Sequence, residues 1–288
     1  MGPASSTSCL TTCRTRLGSS VTTGHGPVES LRNRSGIMAC DTARRRHMQH
    51  TQYISTRGQM APAGFMDVLL AGLAPDGGLA VPERLPALTP EQLETWRSLN
   101  YAELATEVIG LFATDIPRED LAALTRAAYG ESRFPQPVVP VTGLDDVADG
   151  LVLVGLSEGP TMAFKDLAMQ FLGQAIPYVL AKQGKVLNIL GATSGDTGSA
   201  AEHAFRGQEG VSVFMLSPAG RMSPVQRAQM YTLQDANIHN IAVRGVFDDC
   251  QALVKALSND ANFKAAHHLG AVNSINIGRI AAQAVYYV

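Results

Sequence analysis

The stretch GPTMAFKDLAMQ, residues 159–170, contains one lysine, Lys165, where a Gly-Pro-Thr turn gives way to an apolar, helix-like run. A helix opens with the positive end of its dipole, which disfavours an ammonium there. Phe164, Leu167, Ala168 and Met169 add desolvation in the same direction. A neutral, desolvated amine is what a Schiff base with an aldehyde cofactor requires. Taken by itself, a lone lysine is more simply a solvated surface charge, paired with Asp166 or another carboxylate.

A second stretch, KVLNILGATSGDTGSAAEHAF at 185–205, reads as a buried strand, a glycine-rich turn and a helix start. Gly191, Gly195 and Gly198 let the backbone bend and approach a ligand closely. The free N–H groups of the helix start favour a negative group, and Thr193, Ser194 and Thr197 add hydroxyl donors. The spacing fits neither the G-x-G-x-x-G dinucleotide pattern nor the Walker pattern, so NAD and ATP are poorly supported. The occupant these residues favour is a carboxylate or phosphate on a small ligand. The plain alternative is a tight strand-to-helix turn whose glycines serve packing alone.

These two stretches need elements to hold them. Residues 53–56 carry a short strand signal, and Phe65, Val68, Leu69 and Leu73 fall on one helix face. LAVPERLP reads as an extended piece. Residues 89–130 read as helical, capped by Thr89 with Pro90 at the first position, broken at Thr114–Pro117 and resumed over Arg118–Ala128. Pro135, Pro137 and Pro140 mark a linker-like stretch, and a boundary is expected near residue 140. Beyond it, strands at 151–156, 186–190, 211–216 and 240–243 alternate with helices at 164–180, 199–205, 224–231 and 247–257. The first of these helices should kink or end at Pro177. Such alternation predicts an α/β domain with a parallel sheet and flanking helices.

The 288 residues are 45% hydrophobic and 17% charged, with a formal net charge of −2. That balance points to neither nucleic acid nor an anionic membrane, and no run approaches the roughly 18 apolar residues of a membrane span. Residues 1–50 differ: seven arginines against Glu29 and Asp41 give +5, leaving −7 for the rest. This tail, rich in Ser, Thr and Gly, is expected to be disordered. It is read as translated from a start codon set too early, with Met48 as the natural start, ahead of a cloning scar or a transit peptide. Cys9, Cys13 and Cys40 lie in it without a second Cys or His pair at zinc spacing, so no metal site is expected, and a disulfide framework is unsupported. Cys250 falls on a helical run and reads as a small buried residue.

The order of these words carries a resemblance. YISTRG, DGGLAVP, GPTMAFKDLAMQFLG, GATSGDTGSAA, SPAGRMSPVQRAQM (217–230), FDDCQALVK (247–255) and NSINIGRIAAQAVYYV (273–288) follow one another as in threonine synthases. These are pyridoxal-phosphate enzymes of the tryptophan-synthase-β-like fold, fold type II, and the resemblance spans residues 53–288. It implies an N-terminal threonine-synthase domain over 51–140 and a cofactor-bearing α/β region over 141–288. Lys165 would hold pyridoxal 5'-phosphate and then act as the mobile acid and base. Thr193, Ser194, Gly195, Asp196 and Thr197 would grip the substrate carboxylate, with Asp196 also flanking the cofactor ring. Arg221 would meet the departing phosphate. Ser274, Asn276 and Arg279 match the NSIN-x-x-R block and are expected at or behind the site; a helix-capping role is the alternative for its Asn and Ser.

The implied reaction converts O-phospho-L-homoserine and water to L-threonine and phosphate, the last step of threonine biosynthesis, in the cytoplasm or in an organelle if the tail is a transit peptide. Threonine dehydratases and cysteine synthases share the fold but lack the YISTRG…DGGL block. A non-catalytic binding protein of the same fold is the remaining alternative. Departures from the pattern are Ile277-Gly278, where a larger pair such as Trp-Ala is expected, and the end at Val288, ahead of the GNFG-type loop that cradles the cofactor phosphate. The chain is therefore expected to be an incomplete form of the fold, with an open sheet edge, and without that cradle the cofactor is expected to bind weakly and activity to be low.

Overall fold

The computed structural model describes residues 50–272 and 275–288. The readings made for the tail, including those for its three cysteines, lie outside the described residues. So does Ser274.

Strand β1 (Tyr53–Ser55) pairs antiparallel with β2 (Ala80–Pro82). Between them α1 (Phe65–Ala71) buries Phe65, Val68 and Leu69. Helix α2 (Pro90–Trp96) opens on a capping box in which Thr89 and Gln92 bond each other's backbone. The helical region does not run on unbroken to Thr114. Asn100 and Glu103 form a second capping box and start α3 (Tyr101–Gly110) afresh. Helix α4 (Arg118–Tyr129) follows, then a hairpin of β3 (Val141–Gly143) and β4 (Val152–Val154).

That hairpin corrects the expected topology. The strand placed at 151–156 pairs antiparallel with β3 and stays out of the parallel sheet. The intervening turn closes on itself, with Leu144 N donating to Leu151 O at 2.8 Å, so the nearest partner in sequence captures the strand. An apolar run does not reveal which sheet it joins.

Helix α5 (Lys165–Gln183) is buried on nearly every side and continues past Pro177. The proline removes one helical bond, at a cost of about 3 kcal/mol. The turn beyond it buries Val179 and Leu180, worth roughly 1.5–3 kcal/mol each, so continuing the helix wins. The residue whose carbonyl loses its donor, four positions back, is Gly173. It packs so tightly on α6 (Asp196–Phe205) that a Cβ would sit 2.3 Å from Ala204 O.

Strands β5 (Leu187–Ala192), β6 (Val211–Pro218), β7 (Ile238–Val243) and β8 (Leu269–Gly270) form one parallel sheet in the order β7-β6-β5-β8. Helix α7 (Pro224–Tyr231) starts at Pro224 behind its cap, Ser223. The α8 helix (Phe247–Asn259) buries Cys250, and α9 (Ala261–Ala266) leads to β8. Finally α10 (Ile277–Ala284) lies against α5 and α3. From β5 the chain steps to β6 and β7 on one side, then returns to the other side as β8. The loop after β5 thus sits at the carboxyl end of the sheet where strand order reverses, the usual position for a ligand in such sheets.

Residues Met48–Val288 form one compact unit. Packing is continuous across the boundary expected near residue 140: Tyr129 OH at the end of α4 donates to Leu167 O in α5 at 2.8 Å. Among the described residues no helix is long and apolar enough to cross a membrane.

Candidate active site

The turn before Lys165 is built by the residue after it. Asp166, fully buried, accepts from Thr161 N at 2.8 Å and Thr161 Oγ1 at 2.7 Å. Burial pushes its carboxyl up, and the bonds from Thr161 oppose that. Gly159 leaves room for this carboxylate, since a Cβ there would fall 2.4 Å from Asp166 Cβ. Met162 in the same turn takes φ 56°, a left-handed conformation that costs a side-chain-bearing residue energy and recurs at functional sites. Asp166 is thus committed to the turn and is not the lysine's partner.

That partner is Asp196. Lys165 Nζ donates to Asp196 Oδ2 at 3.2 Å, with the lysine side chain 16% exposed, and it also lies 5.0 Å from the centre of the Phe164 ring. The Lys165 bond is the main reason the Asp196 carboxyl lies below the usual range; partial burial works against it and Gln226 adds to it. Beside the helix end and the apolar neighbours, Lys165 thus faces a carboxylate brought in from α6.

The loop that delivers Asp196 is braced from within. Thr193 Oγ1 accepts from Gly195 N and Gly198 N, both at 2.9 Å, and the residue is only 2% exposed. The sequence grouped Thr193 with the substrate-binding side chains; its oxygen is instead spent on the loop's own amides. Gly195 adopts φ 146°, ψ −70°, which only glycine takes readily, and a Cβ on it would strike Gln226. Gly191 and Gly198, by contrast, serve close packing, against Met215 and against Thr193 and Met230. Gly195 caps α6 with no side chain of its own; Thr193 takes the Gly198 amide, which leaves the Asp196 and Thr197 amides at the helix start for an anion. Ser194 and Asp196 are exposed and Thr197 is half-buried beside them.

The other named residues divide. Arg221 is exposed in the turn after β6, at the same end of the sheet, with no ion pair among the described residues. Asn276 is fully buried: its Nδ2 donates to Leu69 O at 2.8 Å and its Oδ1 accepts from Gly278 N at 2.9 Å. It caps α10 and ties it to α1, the capping role that the sequence left open beside a place at the site. Arg279, one turn on, is 4% exposed, and its Nε has no partner among the described residues. Burial pulls its pKa down, and among the described residues no carboxylate pairs with it. A buried guanidinium without a counter-charge is costly unless an anion meets it.

Two residues had no role in the sequence reading. Gln226 Nε2 donates to Asp196 Oδ1, and Gln229 Nε2 donates to Thr161 O at 3.1 Å. Their i, i+3 spacing behind a Ser-Pro cap was the available signal. Among the described residues no three His, Cys, Asp or Glu side chains gather as a metal-binding set.

Residues 52–129 match the family model "Threonine synthase N terminus". The chain is 57% identical over 242 residues to the threonine synthase of Corynebacterium glutamicum, covering 82% of this chain and 50% of that one. It is 40% identical to that of Saccharomyces cerevisiae, covering 82% and 48%. Among solved structures, a pyridoxal-phosphate-bound threonine synthase from Brucella melitensis superposes with a TM-score of 0.77 at 45% identity, covering 82% of this chain and 50% of that one. The Escherichia coli threonine synthase gives 0.70 at 35% identity, covering 82% and 53%. The chain spans about half the length of the curated relatives it matches.

Proposed function

The chain belongs to the threonine synthase family, and from that membership we propose that it serves the conversion of O-phospho-L-homoserine and water to L-threonine and phosphate, with pyridoxal 5'-phosphate held at Lys165. The observation that carries the reading is the meeting of Lys165 and Asp196 at 3.2 Å, at the head of α6. These residues fit the cofactor: the amine is mostly enclosed but reachable, and the loop offers donors to an anion. When bound, pyridoxal phosphate supplies an electron sink for negative charge at the substrate's Cα.

The chain's own residues do the rest. Lys165 Nζ is placed to hold and move protons at Cα and Cβ. Asp196 sets where that nitrogen rests. The α6 amides and the Ser194 and Thr197 hydroxyls receive the substrate carboxylate. Phosphate leaves Cγ, a proton taken earlier from the substrate is returned to Cγ, water adds at Cβ, and the departing dianion needs a cation. Arg279, buried without a counter-charge, suits that need better than exposed Arg221. A cytoplasmic location is part of the same proposal.

The test is spectroscopic and chemical together. Adding pyridoxal phosphate should give an absorbance band near the visible edge that Lys165→Ala abolishes. Phosphohomoserine should then yield threonine and phosphate in equal amounts. A band that survives Lys165→Ala, or phosphate released with a keto acid in place of threonine, would overturn the reading.

A further inference from the structure

Asp196 accepts two bonds from opposite sides, Lys165 Nζ on Oδ2 at 3.2 Å and Gln226 Nε2 on Oδ1. The glutamine is itself fixed. Ser223 Oγ donates to Gln226 Oε1 at 3.0 Å and accepts from Gln226 N at 3.2 Å, which leaves the NH2 end to face the carboxylate. The side chain also lies across Gly195, where a Cβ would come within 2.3 Å of Gln226 Cδ. One turn later Gln229 Nε2 reaches Thr161 O at 3.1 Å, in the turn that leads into Lys165. Helix α7 therefore grips both flanks of the lysine with two side chains on one face.

An amide N–H on a carboxylate favours its ionised form and decides which oxygen is left for another partner. We infer that Gln226 is a positioning residue: acting through Asp196, it keeps Oδ2 turned to Lys165 and closes the α7 side of the loop, with Ser223 setting which end of the amide faces in. This rests on the proposed roles of Lys165 and Asp196. A residue that merely packed on Gly195 would need bulk there and no donor, and this contrast supplies the experiment.

Gln226→Met keeps the length and the cover over Gly195 but removes the donor. In the full chain labelled with 13C at its aspartate carboxyls, the Asp196 signal is identified by its loss in Asp196→Asn. Gln226→Met should make Asp196 titrate at higher pH, by more than the scatter among the other aspartates, with the melting temperature held. Ser223→Ala, which leaves Gln226 in place, should move Asp196 the same way by less, and it decides the matter if Gln226→Met does not fold. An unmoved Asp196 overturns the inference. So does an equal shift of every aspartate, which reports general loosening. Capture of pyridoxal phosphate, checked with Lys165→Ala, is read separately: its failure sinks the proposed function and leaves the Asp196 result standing.

Discussion

Lys165 and Asp196 come from the heads of two helices and meet across the carboxyl end of the sheet. Buried groups on α6 and α10 set how the molecule responds to pH and to anions. Glu202 on α6 is fully buried; Asn240 Nδ2 donates to its Oε2 at 3.2 Å, while Glu202 Oε1 and Asn240 Oδ1 have no partner. Burial pushes its carboxyl up to about 8 from 4.5, partly offset by Asn240. Between those values the folded chain keeps a proton that the unfolded chain has released. Stability should therefore fall as pH rises from about 4.5 to about 8, by at most about 1.4 kcal/mol per pH unit from this group. Glu202→Gln should flatten that slope in denaturant titrations at successive pH values. Arg279 makes the opposite kind of prediction: inorganic phosphate should raise the melting temperature of the wild type and leave that of Arg279→Met unmoved. At this scale the sequence showed Lys165 and the glycine loop, because their residue types are chemically informative. It did not show that Thr193 braces its own loop or that Asn276 ties α10 to α1, because a motif gives identity without the direction of a side chain. Gln226 and Gln229 were missed because neutral amides signal nothing until their distant partners are known.

The helices that position the site were legible where a cap wrote their start. Helix α7 begins at Pro224 after Ser223, as read, and α2 begins at Pro90 after Thr89. Helix α6 starts three residues earlier than expected because Gly195 and Asp196 look like loop when only local propensity is weighed. Helix α5 continues past Pro177 and does not end there, since burial along it outweighs one lost bond. The close approach of α5 and α6 at Gly173 should be intolerant of any side chain. Gly173→Ala would place a methyl against Ala204 O and should destabilise by roughly 1–3 kcal/mol or more, read as a lower denaturant midpoint. Because this contact aligns the two helices, the same variant should also weaken cofactor capture.

For the whole molecule, alternation of strand and helix foretold the parallel sheet, but not its order. The return from β7 to β8 on the far side of β5 depends on long-range packing that no local pattern records. The boundary expected near residue 140 came from prolines, yet Tyr129, Leu167 and their neighbours belong to one core on both sides of it. One unfolding transition should follow. The chain has one tryptophan, Trp96, buried in α2, so its fluorescence reports the segment before 140 while far-UV circular dichroism reports every helix. Coincident denaturation curves are expected, and an earlier Trp96 transition would show the segment before 140 unfolding by itself.

The central claim, that Lys165 holds the cofactor, can be read directly. The chain has five lysines, Lys165, Lys182, Lys185, Lys255 and Lys264, so borohydride reduction in the presence of pyridoxal phosphate followed by peptide mass spectrometry assigns the attachment without ambiguity. The account predicts stoichiometric label on the peptide containing Lys165 and none after Lys165→Ala. Label spread over the other four, or unchanged by that substitution, would contradict it.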